Sequence, residues 1–202
     1  MQRIFGRNDV SLLASQLKND ELVCLPTETV YGLCCKASSF VAFNKLIDAK
    51  NRPLNKAFPL AVSCLEDINM FAQLTPKQEK VAKQFMDRSL TIVVKKDKNV
   101  QNYVTANKDT IAIRLLNEGF IKSLIKELGE PILLTSANKS GEKPIESIDE
   151  GLKIFDSVFN FVKGELIKDG QPSTIVSLVD DEVNILRQGK ITLEEIKEAM
   201  ED

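Results

Sequence analysis

Three features of the chain predict an α/β fold built on a mixed sheet flanked by helices. Seven short apolar runs rich in β-branched residues punctuate the sequence, and amphipathic helical patterns separate them. One segment, VSLVDDEVNIL (176–186), reads as an antiparallel hairpin, which a purely parallel sheet would not contain.

In chain order, VSLLASQLK (10–18) places apolar residues at helical spacing, and ELVCL (21–25) follows as a strand that stops at Pro26, whose missing N–H ends a ladder. FVAFNKLIDAK (40–50) is the next helix. It should end at AKNRP (49–53), because Pro53 biases Arg52 away from helical dihedrals. FPLAVS (58–63) returns to strand. TPKQEKVAKQFM (75–86) begins on Thr75 as N-cap with proline at the first helical position. LTIVVKK (90–96) and TIAIRLL (110–116) are nearly continuous in apolar residues, a pattern that suits strands buried on both faces. GFIKSLIKEL (119–128) is helical and PILLTS (131–136) a strand. STIVSLV (173–179) and VNILR (183–187) form the hairpin, and TLEEIKEAM (192–200) is a helix whose acidic first turn follows Thr192.

With 202 residues, 43% hydrophobic and 28% charged, the chain suits a single soluble domain over 1–202, large enough for a core and a surface cleft. No apolar run approaches a membrane span. The N-terminal MQRIFGRNDVSLLASQL lacks the features of a secretory signal, so a cytoplasmic location is expected. Cys24, Cys34, Cys35 and Cys64 show no C-x-x-C spacing, and no histidine is present to complete a zinc site. They read as buried thiols in a reducing compartment, with Cys34 and Cys35 on opposite sides of an extended segment. A net charge of -2 argues against a wholly basic nucleic-acid binder while leaving room for a local basic patch. The absence of histidine also removes the commonest general acid or base, so catalysis would rest on positioning, lysine, arginine, carboxylates or a metal ion.

Four polar clusters sit at strand or helix ends. In LPTETVYGL (25–33), Thr27, Glu28, Thr29 and Tyr31 project beyond Pro26, and Gly32 permits close approach of backbone or ligand; a threonine capping a short helical turn is the plainer alternative. In AKNRP, Lys50 and Arg52 would share one face of an extended segment, with Lys56 enlarging the positive patch, or would merely complement a helix C-terminus. In PILLTSANKSG (131–141), Thr135, Ser136 and Asn138 emerge from an apolar strand as ligand contacts or as a local turn. In GQPSTIV (170–176) and ILRQG (185–189), Ser173 and Thr174 enter a strand and Arg187 leaves one, toward an anion or toward solvent. Several such clusters in one α/β chain favour a shared cleft more than each does alone. Neither G-x-G-x-x-G nor G-x-x-x-x-G-K-[ST] occurs, so no Rossmann or Walker loop accounts for the cations.

In this order and spacing, PTETVYGL, KNRP, TSANKSG, PSTIV and LRQG strongly resemble the YrdC-like family of L-threonylcarbamoyladenylate synthases, over almost the whole chain. The resemblance implies a single YrdC-like domain, a twisted mixed sheet with a concave electropositive cleft. It implies an enzyme that joins L-threonine, bicarbonate and ATP into threonylcarbamoyl-AMP and pyrophosphate, with Mg²⁺ accompanying ATP. A tRNA-modifying threonylcarbamoyl transferase complex would be the partner. Matched position by position, the family pattern makes Thr27, Tyr31, Arg114, Thr135 and Ser173 threonine-binding residues. It makes Lys50 and Arg52 the phosphate-contacting catalytic pair, and adds Lys56, Thr110, Ser136, Asn138, Pro144 and Arg187 to the ATP site. The chain departs from the pattern at DRSLT (87–91), where many members carry proline-glycine-proline, and at Ser63, where many carry histidine. The extra C-terminal domain of longer members is not expected.

The chemistry suits these residue types. Threonine's amine adds to carbon dioxide, and the carbamate oxygen then attacks the α-phosphorus as pyrophosphate leaves, so negative charge builds at each stage. Cations and in-line positioning serve such a step without histidine. Two competing readings are a module that docks double-stranded RNA or tRNA directly through the same basic concavity, and a related enzyme that adenylates a carbamoyl group.

Overall fold

Alternation along the strands divides the molecule into two apolar layers. The computed structural model describes residues 2–27, 30–116, 119–164 and 173–201. In chain order its elements are β1 (Arg3–Phe5), α1 (Val10–Lys18), β2 (Val23–Pro26), β3 (Tyr31–Lys36), α2 (Phe40–Lys50), β4 (Leu60–Val62), α3 (Pro76–Phe85), β5 (Leu90–Lys95), β6 (Thr110–Leu115), α4 (Gly119–Leu128), β7 (Ile132–Ser136), α5 (Ile148–Ile154), β8 (Asn160–Val162), β9 (Thr174–Ser177), β10 (Asn184–Arg187) and α6 (Leu193–Glu201). The strands form one sheet in the order β1-β8-β2-β3-β7-β4-β6-β5-β9-β10. It is mixed, as expected: β4 and β6 run parallel, as do β5 and β9, whereas β2–β3, β3–β7, β5–β6 and the β9–β10 hairpin are antiparallel.

The helix ends follow the capping chemistry of the sequence. Thr75 Oγ1 accepts from Gln78 N and the Gln78 side chain accepts from Thr75 N, a reciprocal box that stabilises the start of α3 by about 1 kcal/mol. Thr192 and Glu195 repeat the arrangement ahead of α6. At the end of α2, Asn51 adopts φ 49° and ψ 50°, and the N–H groups of Asn51 and Arg52 donate to the Asp48 and Ile47 carbonyls. This Schellman turn reverses the chain within two residues.

On one face of the sheet, Leu33 and Cys35 of β3, Leu60 and Val62 of β4, Leu90, Ile92 and Val94 of β5 and Ile111, Ile113 and Leu115 of β6 pack under α2, α3 and α6. On the other, Val23, Leu25, Cys34, Ala61, Ile132 and Leu134 pack under α1 and α4. Cys34 and Cys35 do point to opposite layers, and burial raises both thiol pKa values. The second layer stops near β4. Beyond it, among the described residues, no helix packs on this face of the sheet, and β6 alternates between buried and half-buried residues. The expectation that TIAIRLL is buried on both faces is therefore corrected. Strands β1, β3 and β8 and helix α5 were not anticipated. Among the described residues, no helix is long and apolar enough to cross a membrane.

Candidate active site

Where α1 and α4 no longer cover the sheet, the exposed half of its face becomes the floor of a cavity of about 280 Å³. Strand register decides which side chains meet there. Ala61 lies beside Arg114, Arg114 beside Thr91, Thr91 beside Ile175 and Ile175 beside Arg187, so one row crosses β4, β6, β5, β9 and β10. All five line the cavity, together with Ala112, Gly32, Leu134, Thr135 and Ser136. The rim is completed by Thr27, Val30 and Tyr31 at the β2–β3 turn, by Arg52, Ala57 and Pro59 after α2, and by Ser173 ahead of β9. Three guanidinium groups and no carboxylate appear among these lining residues.

Each polar group is held by its local structure. Thr27 Oγ1 donates to the Val30 carbonyl at 2.6 Å and accepts from Val30 N at 3.2 Å, so the turn, rather than a helix, uses this hydroxyl. The Tyr31 hydroxyl donates to the Gly164 carbonyl at 3.2 Å, and the residue is among those lining the cavity. A Cβ on Gly32 would lie 2.7 Å from Leu134 Cδ1 and 3.2 Å from the Thr135 carbonyl, so glycine here keeps β3 and β7 in contact beneath the cavity. Arg52 Nε and Nη2 donate to the Lys56 and Ala57 carbonyls at 2.9 and 2.7 Å, and the guanidinium stacks 4.5 Å above the Phe58 ring. Arg187 Nε and Nη2 both donate to the Ser173 carbonyl, and Nη2 also donates to Ser173 Oγ at 3.0 Å. Burial, followed by the neighbouring Arg114, lowers the Arg187 pKa from its ordinary value. Cations crowded in this way favour an anionic ligand.

Lys50 and Arg52 do not share a face. The Schellman turn sends Arg52 to the cavity and leaves Lys50 on the last turn of α2, where it is only 1% exposed. Its Nζ donates to the Ser136 carbonyl, to the Asn138 carbonyl at 2.8 Å and to Asn138 Oδ1 at 3.2 Å. In return, Ser140 N donates to the Lys50 carbonyl and Lys139 Nζ to that of Ala49, which caps the helix C-terminus. Burial, then the charges of Arg52 and Lys139, push the Lys50 pKa down to about 7. The picture of two unneutralised cations side by side is corrected to one cavity cation and one buried strut.

Thr27, Tyr31, Arg52, Arg114, Thr135, Ser136, Ser173 and Arg187 thus come together in one cavity. Lys50, Lys56, Thr110, Asn138 and Pro144 are not among its lining residues. Asn138 is buried with both ends of its amide engaged, accepting from Ser136 Oγ and donating to the Lys139 and Glu142 carbonyls. Lys56 is exposed and contributes its carbonyl to Arg52. Thr110 continues the strand face of Ala112 and Arg114 beyond the floor, and Pro144 lies on the loop ahead of α5. Ser63 is buried and bonded to Asp67. Glu28, Thr29 and the residues 170–172 lie outside the described residues. Thr91 and the small floor residues Ala61 and Ala112 were missed; only Ala112 has a local signal, in TIAIR, where large apolar side chains alternate with small or polar ones. Among the described residues no cluster of three or more histidine, cysteine or carboxylate groups could hold a metal ion.

The chain matches the Sua5/YciO/YrdC family, described as "Telomere recombination", over residues 15–189. It is 35% identical over 194 residues to the threonylcarbamoyl-AMP synthase of Bacillus subtilis, covering 93% of this chain and 55% of that protein. Against the synthase of the same name from Hydrogenovibrio crunogenus it is 31% identical over 170 residues, covering 82% of this chain and 91% of the relative. The fold superposes on Pyrococcus abyssi Sua5 complexed with L-threonine with a TM-score of 0.90, at 28% identity over 98% of this chain and 61% of that one. The chain thus spans little more than half the length of the Bacillus and Pyrococcus proteins. A family match across most of the chain, joined to this agreement of fold, leads to one conclusion: the chain belongs to the Sua5/YciO/YrdC family.

Proposed function

We propose that the chain is an L-threonylcarbamoyladenylate synthase, converting L-threonine, bicarbonate and ATP into threonylcarbamoyl-AMP and pyrophosphate. The observation that carries the reading is the in-register row from Arg114 through Thr91 to Arg187, set against the hydroxyls of Thr27, Thr135, Ser136 and Ser173 in one cavity. The names of the Bacillus and Hydrogenovibrio relatives and the L-threonine held by Pyrococcus Sua5 support it.

In this reading Arg114 takes the amino-acid carboxylate through its planar fork, while Thr27, Thr135 and Ser173 read the amine and hydroxyl, with Tyr31 as the wall. Arg52, Ser136 and Arg187 face the nucleotide. Bicarbonate gives CO₂ and hydroxide, the threonine nitrogen bonds to the carbon of CO₂, and the proton it loses leaves with that hydroxide as water. A carbamate oxygen then bonds to the α-phosphorus, and the bond from that phosphorus to the bridging oxygen breaks to release pyrophosphate. Arg52 stabilises charge gathering on the phosphoryl oxygens. Lys50 serves from behind by fixing the loop that presents Ser136. The described lining residues include no carboxylate, and in this proposal Mg²⁺ arrives on the triphosphate as part of the substrate. The mixed anhydride would pass to a transferase complex that modifies tRNA.

The test incubates the purified chain with ATP, L-threonine, bicarbonate and Mg²⁺, follows pyrophosphate, and identifies the adenylate by mass spectrometry as each substrate is omitted. Pyrophosphate release that requires all three supports the reading. Release that ignores threonine, or no release, overturns it.

A further inference from the structure

Thr91 is a hydroxyl in an otherwise apolar strand segment, LTIVV, and it occupies the centre of the cavity floor. Its neighbours across the ladder are Arg114 on β6 and Ile175 on β9. The residue is 1% exposed, and Thr91 Oγ1 lies 3.1 Å from Ser173 Oγ. The hydrogen-bond inventory of this pair decides which way the protons run. An arginine N–H can only donate, so the 3.0 Å contact from Arg187 Nη2 occupies one lone pair of Ser173 Oγ. One lone pair and one proton remain on Ser173.

If Ser173 donated to Thr91, the Thr91 proton would have no acceptor among the described residues, and Thr91, 1% exposed against 3% for Ser173, is the more enclosed of the two. An unmade bond of that kind is expensive in a dry site. If Thr91 donates instead, both Ser173 lone pairs are filled and the Ser173 proton is left for the cavity that this residue lines. Each hydroxyl then has a use for its proton.

We infer that Thr91 is a positioning residue: by donating to Ser173 Oγ it turns that hydroxyl into an obligate donor, so Ser173 reads an acceptor oxygen of the substrate and disfavours an ammonium at the same place. Resting on the proposed function, the acceptor belongs to L-threonine, as a carboxylate or hydroxyl oxygen. Thr91 itself need not touch the substrate.

The test measures pyrophosphate release by the full chain with L-threonine and ATP varied separately, alongside calorimetric binding of L-threonine. Thr91→Val, which keeps the shape and removes the hydroxyl, should raise KM for L-threonine roughly tenfold with KM for ATP unchanged, and Thr91→Ser should restore it to within about twofold. Thr91→Val combined with Ser173→Ala should be no worse than Ser173→Ala alone, since both act through one hydroxyl. If Thr91→Val does not fold, Thr91→Cys, a weak donor of similar size, replaces it with the same expected order. An unchanged KM for L-threonine, a serine variant as impaired as the valine one, or a parallel rise in KM for ATP overturns the role of Thr91 alone. A wild type that neither binds L-threonine nor releases pyrophosphate overturns the functional reading, and this inference with it.

Discussion

Lys50 Nζ lies 2.8 Å from the carbonyl oxygen of Asn138, a contact that ties the last turn of α2 to the loop leaving β7. Because the same ammonium also serves Ser136, the segment bearing Arg52 and the segment bearing Ser136 are fixed relative to each other. Lys50→Met keeps the apolar stem and relieves the burial of a charge, which alone would stabilise. It also orphans the buried Asn138 carbonyl, whereas the Ser136 carbonyl keeps its bond from Asn138 N, and that loss should prevail: a cost of about 1–3 kcal/mol in urea denaturation is expected. Pyrophosphate release should fall more steeply than stability. A variant as stable and active as the wild type would refute the strut.

The same residue gives stability a pH dependence of definite sign. The folded chain releases the Lys50 proton at about 7, whereas the ordinary value is 10.5. Between these values the unfolded chain binds more protons, so the contribution of Lys50 to stability rises with pH across that window. Below about 7 both states are protonated and the contribution is flat. Thermal melts of wild type and Lys50→Met from pH 6.5 to 9 should therefore diverge, the wild type gaining on the variant as pH increases. Parallel curves would mean that the lysine titrates normally.

Arg52 is set by geometry as much as by charge. Two of its N–H groups are committed to the Lys56 and Ala57 carbonyls and its plane rests on Phe58, so the remaining donors are aimed before any ligand arrives. Lysine preserves the charge but neither the fork nor the stacking. Arg52→Lys should consequently lose nearly as much turnover as Arg52→Ala, with a barrier increase of about 2.7–4 kcal/mol, as for other preorganised donors. Near-normal kcat in the lysine variant would show that a cation is sufficient.

How far the sequence led depended on whether a signal was local. α1, α2 and α4 match their sequence segments residue for residue, because helical periodicity and capping are written within a few positions. Seven strands were legible from their apolar runs, while β1 and β8 carry only two consecutive apolar residues each and exist through long-range pairing, β1 with β8 and β8 also with β2. Eight residues that gather in the cavity, Thr27, Tyr31, Arg52, Arg114, Thr135, Ser136, Ser173 and Arg187, were legible through family motifs. The burial of Lys50 was not, because it depends on the left-handed dihedrals of Asn51 and on carbonyls 86 and 88 residues away. Thr91 escaped for a similar reason: only register with β6 and β9 places it beside Arg114 and in reach of Ser173.

Gly32 offers a test of the cavity floor that removes no functional group. It pairs with Ser136 across β3 and β7, and its missing Cβ makes room for Leu134 and for the methyl group of Thr27, which would lie 3.3 Å from an added carbon. The backbone dihedrals are ordinary for a strand, so the obstacle in Gly32→Ala is steric rather than conformational. Leu134 can yield at its flexible end, but the Thr135 carbonyl belongs to the ladder and cannot withdraw without loosening β7. A stability loss of about 1–3 kcal/mol is expected, as for overpacking elsewhere. Since Thr27 and Thr135 flank the added methyl, KM for L-threonine should rise while KM for ATP changes little. Urea denaturation and separate titration of the two substrates resolve these effects, and a variant that binds threonine normally would mean that the floor beneath Thr27 and Thr135 is not where the amino acid sits.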